Sequence, residues 1–201
     1  MTVNAKQVQE LRKATGVGFL DCRKALEACN GDFDKAVDML REKGLATAKK
    51  RASREASEGV LELYTHANGR IGVMVEVNCE TDFVARSEKF LEFAHEIALQ
   101  VAAASPKWLK EEDIPEDVLA HEKEIARKRA IDEGKPEKII DRIVEGRIKK
   151  YIDEVCLMRQ AYIRDDDLSI NDLLLQNIAA LGENIIIRRF IRWEVGESNE
   201  N

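Results

Sequence analysis

The spacing of apolar residues changes several times along the chain, and each change marks an element. Val8 and Leu11 lie on one face of a first helix, which Asn4 can cap with Gln7 three residues on, in capping-box position. "TGVGF" (Thr15 to Phe19) breaks that helix, because two glycines in four residues favour a turn. A second helix carries Leu20, Ala25, Leu26 and Cys29 and stops at "NGD". Asp32 then caps a third, with Phe33, Ala36, Val37 and Leu40 at helical spacing. Gly44 stands where a helix C-terminus favours a residue tolerant of positive φ. The pattern predicts a three-helix docking module over residues 1–44, with a core too small to be more than marginal. Residues 45–58 follow as a charged, helix-prone connector.

Beyond the connector the period changes to that of strands. "GVLELYTH" sets Val60, Leu61, Leu63 and Tyr64 among polar residues, "ANGR" (Ala67 to Arg70) contains the Asn-Gly hairpin signal, and "IGVMVEVN" returns. Phe90, Phe93, Ala94, Ile97, Ala98 and Val101 then mark one face of an amphipathic helix. "SPKWLKEEDIP" interrupts it. Two helices follow, from Val118 to Glu133 and from Glu137 to about Glu154. The first offers Val118, Leu119, Ile125 and Ala126, the second a stripe of Ile140, Val144, Ile148, Tyr151 and Val155. So little shared apolar surface favours a projecting arm over residues 116–155, with a core hairpin as the alternative. "RDDDLSINDLLLQNIAALGE" reads as a loop, a cap at Ser169 or Asn171 and a short helix, and "NIIIRRFIRWEVG" as a third strand. The tail "ESNEN" is expected to fray. The sum is an α+β chain: an N-terminal three-helix module, then a core over 59–201 with a three-stranded antiparallel sheet, packed helices and the inserted helical hairpin.

One residue does not fit this scheme. Phe83 sits in a polar strand-to-helix turn, beside Glu80 and Asp82, where nothing obvious buries it. Composition narrows what the turn could do. The net charge is −6 and the pI about 5.3, which disfavours general binding to a phosphate backbone. The basic residues Lys49, Lys50, Arg51 and Arg54 of the connector, and Arg127, Lys128, Arg129, Arg147, Lys149 and Lys150 of the arm, therefore read first as solvated helix faces. A ribosome- or RNA-associated role for them is the rival reading. Cys22, Cys29, Cys79 and Cys156 form no C-x-x-C, and the three histidines are scattered, so neither a metal site nor a disulfide framework is expected. No phosphate-cradling glycine motif, nucleophile elbow or zinc-binding helix occurs. Glu80 and Asp82 as a catalytic pair would lack a surrounding cavity. No apolar run is long enough to span a bilayer, and a cytoplasmic protein acting through its surfaces is expected.

Four stretches, in order, carry a resemblance: "LRKATGVGFLDCRKAL" (Leu11 to Leu26), "EVNCETDFVA" (Glu76 to Ala85), "EGRIKKY" (Glu145 to Tyr151) and "IRWEVGE" (Ile191 to Glu197). Together they resemble the bacterial elongation factor Ts family over nearly the whole chain. The resemblance implies a guanine-nucleotide exchange factor that binds elongation factor Tu, both GDP-bound and nucleotide-free, without covalent chemistry or a cofactor of its own. It implies that the first residues form a ubiquitin-associated-like module docking on the partner's nucleotide-binding domain, which maps onto Arg12, Thr15, Gly16, Phe19 and Leu20. Phe19 and Leu20 stand where the family usually has methionines and remain apolar. The family's "TDFV" segment, linked to displacing the partner's magnesium, maps onto Thr81, Asp82, Phe83 and Val84. Either Thr81 or Asp82 would cap the following helix and aim the ring. Longer members carry a second core subdomain before the arm. This chain resembles the short form, which makes a homodimer more plausible, while the acidic charge and the lack of a long apolar run lead us to expect no direct contact with nucleic acid or membrane.

Overall fold

The computed structural model describes residues 3–197, with the side chains of 45 and 49 left undescribed; most of the tail expected to fray lies outside this range. The first helix, α1 (Ala5–Thr15), starts at Asn4 with a complete capping box to Gln7 and ends on Gly16 at φ 66°. Helix α2 (Phe19–Ala28) and helix α3 (Phe33–Arg51, capped by Asp32) close a small cluster of Val8, Leu11, Cys22, Ala25, Leu26, Ala36 and Leu40. Two sequence expectations need correction here. Helical spacing puts Leu20 and Phe33 on the apolar faces of their helices, yet both are exposed, and Cys22 fills the inward position of α2. Nor does Gly44 end a helix: α3 runs through it to Arg51. A Cβ on Gly44 would stand 3.2 Å from the Ala179 Cβ, so the glycine serves close helix approach rather than a left-handed cap.

Strands β1 (Glu58–His66) and β2 (Ile71–Cys79) form the expected antiparallel hairpin, and β5 (Ile185–Glu194) adds to the far side of β2. Glu76 pairs with Arg189 and Val77 with Ile187, so Arg188 is the extra residue of a bulge. The inner face of the sheet presents Val73, Val75, Val77, Cys79, Ile185 and Ile187, all buried. Against it lies α5 (Glu88–Ala104), whose apolar stripe is buried from Phe90 to Val101. Helix α8 (Ile170–Leu181) packs beside α5 and against α3, and contributes Ile170, Leu174 and Ile178 to the same core. Ala48 of α3 belongs to this core as well, so one helix serves two apolar clusters. The arm expected over 116–155 is formed by α6 (Glu116–Asp132) and α7 (Glu137–Val155). They pack on each other through a third cluster built on Ala126, Ala130, Ile140, Val144, Ile148 and Ile152. Ile152 lies on that seam, while Tyr151 is half-buried and meets Trp108 edge-on.

A second, small hairpin pairs β3 (Ala161–Tyr162) with β4 (Asp165–Ser169), where the sequence pattern read only a loop. Its acidic residues have poor strand propensity, and side chains anchor it instead. The fully buried Gln100 of α5 donates to Gln160 Oε1 and the Ala161 carbonyl, both at 3.1 Å, and accepts from the Ile163 N–H at 2.9 Å. Glu96 receives Tyr162 Oη and Arg164 Nε, each at 2.6 Å. Burial, together with that carboxylate, pushes the Tyr162 hydroxyl up to about 12. Ser169 then caps α8 in a capping box with Asp172, which settles the choice between Ser169 and Asn171.

Gln100→Leu keeps the side chain's volume but strips partners from interior polar groups, each worth about 1–3 kcal/mol. The variant is expected to lose at least about 2 kcal/mol in urea unfolding, with an unchanged slope. A loss under about 0.5 kcal/mol would show that the amide network does not hold the hairpin.

Candidate partner-binding site

The turn after β2 begins with a buried residue and ends with one. Cys79 is buried and so is Ala85, while Phe83 between them is 80% exposed. These residues form α4 (Asp82–Ala85), a single turn whose N-cap is Thr81, with its hydroxyl accepting from the Val84 N–H at 3.4 Å. Thr81 therefore fills the cap that the sequence left open between Thr81 and Asp82. Asp82 instead pairs with Arg86 one turn on, and the Arg86 guanidinium stands 5.9 Å from the centre of the Phe83 ring. Val84 is half-buried against the core, and Ser87 restarts the backbone as N-cap of α5. The ring thus stands on a short, tethered pedestal and does not fold back beneath its own helix.

The pedestal is tied from below by residues far away in sequence. Glu183 Oε2 accepts from the backbone N–H groups of Glu80 and Thr81 at 3.1 and 3.0 Å, and its Oε1 accepts from the Thr81 hydroxyl at 2.6 Å. Glu80 Oε1 accepts in return from the Asn184 N–H at 2.6 Å, and its Oε2 from Arg54 at 3.4 Å. Glu80 is therefore occupied with structure, and Asp82 with Arg86. Burial, and then the negative charge of Glu183, push the Cys79 thiol up to about 11, so it stays protonated at neutral pH and donates to the Thr81 carbonyl at 3.2 Å. Sequence reasoning missed Glu183, since its partners lie more than 100 positions away and no local motif marks it.

The N-terminal residues singled out from the sequence divide into two groups. Arg12, Phe19 and Leu20 point outward, the last two being 43% and 69% exposed. Thr15 is half-buried, and its hydroxyl donates to the Leu11 carbonyl at 2.7 Å. Gly16 caps α1 in the left-handed conformation, and its carbonyl accepts from Lys89 Nζ of α5 at 3.2 Å. Burial holds that ammonium below the usual lysine range. Lys89 thereby bridges the glycine turn that precedes Phe19 to the first turn of α5, just beyond Phe83. It was not singled out from the sequence, where it reads as one more surface lysine.

The basic residues behind the RNA reading are largely engaged with protein groups. Arg51 donates to the Ile178 carbonyl, Arg127 pairs with Asp141, Lys128 with Glu124, and Arg147 with Glu133. Among the described residues no three of His, Cys, Asp and Glu gather where a metal ion could be held, and no helix is long and apolar enough to cross a membrane. An open cleft of about 1200 Å³ lies between α7 and α8, where Lys149, Lys150, Asp153 and Glu154 of α7 face Asp172 of α8, with Arg159 beside them.

A three-helix module, a sheet and a helical hairpin, with an exposed ring on a braced turn, make this an α+β protein. The profile of the family described as Elongation factor TS matches residues 6–197. Elongation factor Ts of Desulfitobacterium hafniense is 57% identical over 198 residues, covering 98% of this chain and 91% of that protein. That of Caldanaerobacter subterraneus subsp. tengcongensis is also 57% identical, covering 98% and 99%. Elongation factor Ts of Coprothermobacter proteolyticus is 52% identical over 197 residues, 98% of this chain and all of that protein. The chain belongs to the elongation factor Ts family.

Phe83 on this turn and Phe90 in α5 should respond to truncation in opposite ways. Phe90 has no exposed surface, and Phe90→Ala is expected to cost about 3–5 kcal/mol. Phe83→Ala removes little folded-state packing and should leave stability within about 0.5 kcal/mol. Paired thermal and urea melts measure both. A Phe83→Ala loss approaching that of Phe90→Ala would mean that the ring is buried in solution.

Proposed function

We propose that this chain is a guanine-nucleotide exchange factor for elongation factor Tu, binding its GDP-bound and nucleotide-free forms and promoting replacement of GDP by GTP. The observation that carries the reading is the 80% exposure of Phe83 on a braced turn, in a chain of this family. A large ring held in water has little reason to be there unless another protein buries it. Residues 1–44 act as the docking module, joined through 45–58 to a core over 59–201 that carries the arm. Arg12, Phe19 and Leu20 supply side chains to the partner's nucleotide-binding domain, and Thr15 and Gly16 shape the turn that presents them. Thr81, Asp82, Phe83 and Val84 form the segment that disturbs the partner's magnesium and phosphate site. Thr81 caps the turn, Asp82 holds Arg86 beside the ring, Val84 anchors the segment to the core, and Phe83 enters the partner.

The mechanism is one of linked binding and involves no covalent step. Magnesium and a phosphate cradle hold GDP, and a ring pressed beside them shifts the groups that coordinate both. The factor must bind the empty partner more tightly than the GDP-bound one, and by linkage GDP weakens the factor by the same factor. Each tenfold of that coupling corresponds to about 1.4 kcal/mol. Preference for GTP then comes from nucleotide concentrations, and the factor needs no cofactor. In this reading the protein works in the cytoplasm, without direct contact to nucleic acid or membrane.

Stopped-flow release of fluorescent GDP from elongation factor Tu tests the reading. Phe83→Ala should slow stimulated release by on the order of tenfold or more, and chelating magnesium should narrow the gap to wild type. Stimulation by the wild-type chain that is absent, or that Phe83→Ala leaves untouched, would refute it.

A homodimer fits the outer face of the sheet. Leu61, Leu63, Met74, Ile191 and Trp193 are exposed there, with Leu63, Met74 and Ile191 in direct register across the strands. The carboxylate next to these residues, Glu76, is held within the same copy by Arg189 at 2.7 Å and Arg188 at 3.6 Å, and the apolar residues lie to one side of this cluster. Light scattering should give a dimer at micromolar concentration, and Leu63→Glu a folded monomer. A wild-type monomer at high concentration would rule the dimer out.

A further inference from the structure

A one-turn helix cannot hold its own direction in water, because nucleation costs more than a single turn returns. The direction of α4, and hence of the Phe83 ring, must come from elsewhere. Its own cap comes from Thr81, and the state of the Thr81 hydroxyl is set by Glu183. That hydroxyl has one proton to give, and it goes to Glu183 Oε1 at 2.6 Å. An oxygen lone pair is then left facing the Val84 N–H, the contact that starts the turn. The other oxygen of Glu183 holds the two backbone N–H groups immediately before the turn. A single carboxylate therefore fixes both the chain entering α4 and the polarity of its cap. Its own position is secured in turn. Glu183 follows Gly182, the left-handed C-cap of α8, and Arg51 donates to the Ile178 carbonyl in the last turn of that helix. Asn184, next in sequence, gives its N–H to Glu80 and its Nδ2 to the Arg54 carbonyl at 2.8 Å.

We propose that Glu183 is the positioning residue of the exchange segment, the group that keeps the Phe83 ring directed outward at the angle the partner meets. The assignment rests on the wedge reading above. Glu183 is half-buried beneath the turn, with both carboxylate oxygens turned onto residues 80 and 81, so it acts through Phe83 and need not touch the partner. Its loss leaves two backbone donors and a hydroxyl without their shared acceptor, and α4 then turns or frays until the ring finds cover on its own protein. Glu183→Gln keeps the shape and one acceptor oxygen, so it retains part of the grip.

The full chain and GDP-loaded elongation factor Tu, with fluorescent GDP, supply the test. Release rates are followed against factor concentration for wild type, Glu183→Gln, Glu183→Ala, Phe83→Ala and the Glu183→Ala/Phe83→Ala double variant. The maximal rate of Glu183→Ala should fall by on the order of tenfold, as expected when a group is misplaced by about an ångström, while half-saturation moves by less than about twofold. Glu183→Gln should lie between Glu183→Ala and wild type. The double variant should be no slower than Phe83→Ala alone, because both changes remove the same event. If Glu183→Ala melts too low to assay, Thr81→Val breaks the hydroxyl relay at an exposed position, and its defect should likewise vanish in a Phe83→Ala background. A wild-type maximal rate for Glu183→Ala, or defects that multiply in the double variant, would overturn the assignment. Phe83→Ala at the wild-type rate would instead overturn the wedge reading beneath it, and the assignment with it.

Discussion

Burial of α5 against the inner face of the sheet is the contact on which the rest of the structure depends. Phe90, Phe93, Ile97 and Val101 share one buried cluster with Val73, Val75 and Val77, where apolar surface removed from solvent stabilises the fold by about 25 cal/mol per Å². Once α5 is seated, its N-terminus fixes where β2 must hand over to helix. The residues between Cys79 and Ser87 have only a few positions in which to turn. A short helix fits that gap, with Ala85 turned inward and Asp82 and Phe83 turned outward. The far end of α5 carries Gln100, whose amide network holds the β3–β4 hairpin and so the start of α8. Through α8 the same contact reaches Glu183, which returns to grip the turn where α5 began. The exposed ring is therefore supported at both ends by one core.

Polar groups do different work in different parts of this molecule. Around the turn they direct the backbone: every oxygen of Glu80 and Glu183 has a donor, and each donor comes from another segment. Along the arm they lie on the surface as pairs between exposed side chains, each worth little once screened by water. The arm's cohesion comes instead from its own apolar seam. This contrast separates the two readings of charge weighed from the sequence. Arg127, Lys128, Arg147 and Lys150 of the arm sit beside carboxylates that moderate their field, and the acids near Phe83 are bound into the fold.

Most of the architecture was legible in the sequence wherever a period ran long enough to dominate. The capping box at Asn4, the stripe of α5, the β1–β2 hairpin and the two arm helices all followed from spacing. What escaped was whatever depended on a distant neighbour. Gly44 carries the same local signal whether it ends a helix or admits another one, and only Ala179 distinguishes the two. Leu20 and Phe33 looked inward because helical spacing alone does not say where a small core runs out of room. The β3–β4 hairpin is held by Gln100 and Glu96 from another element, so its own residues carry no strand pattern. At the candidate site the exposed ring could be read locally and the cap narrowed to Thr81 or Asp82, whereas the Glu183 grip and the Lys89 bridge could not be read at all. Each of those contacts closes a loop of tens of residues and leaves no periodic trace.

Helix α3 belongs to two cores at once, with Leu40 in the N-terminal cluster and Ala48 beneath the sheet. A rigid rod shared in this way acts as a caliper. It sets the separation between the outward residues of α2 and the ring on α4, and the Lys89 ammonium on the Gly16 carbonyl closes the jaws at a second point. The gap cannot widen without bending a helix or drawing Ala48 out of its packing. A partner that engages both edges must therefore present two receiving surfaces at one spacing. If its own domains shift as it loses a ligand, the caliper fits only one of its shapes, and the shape that fits is held in place.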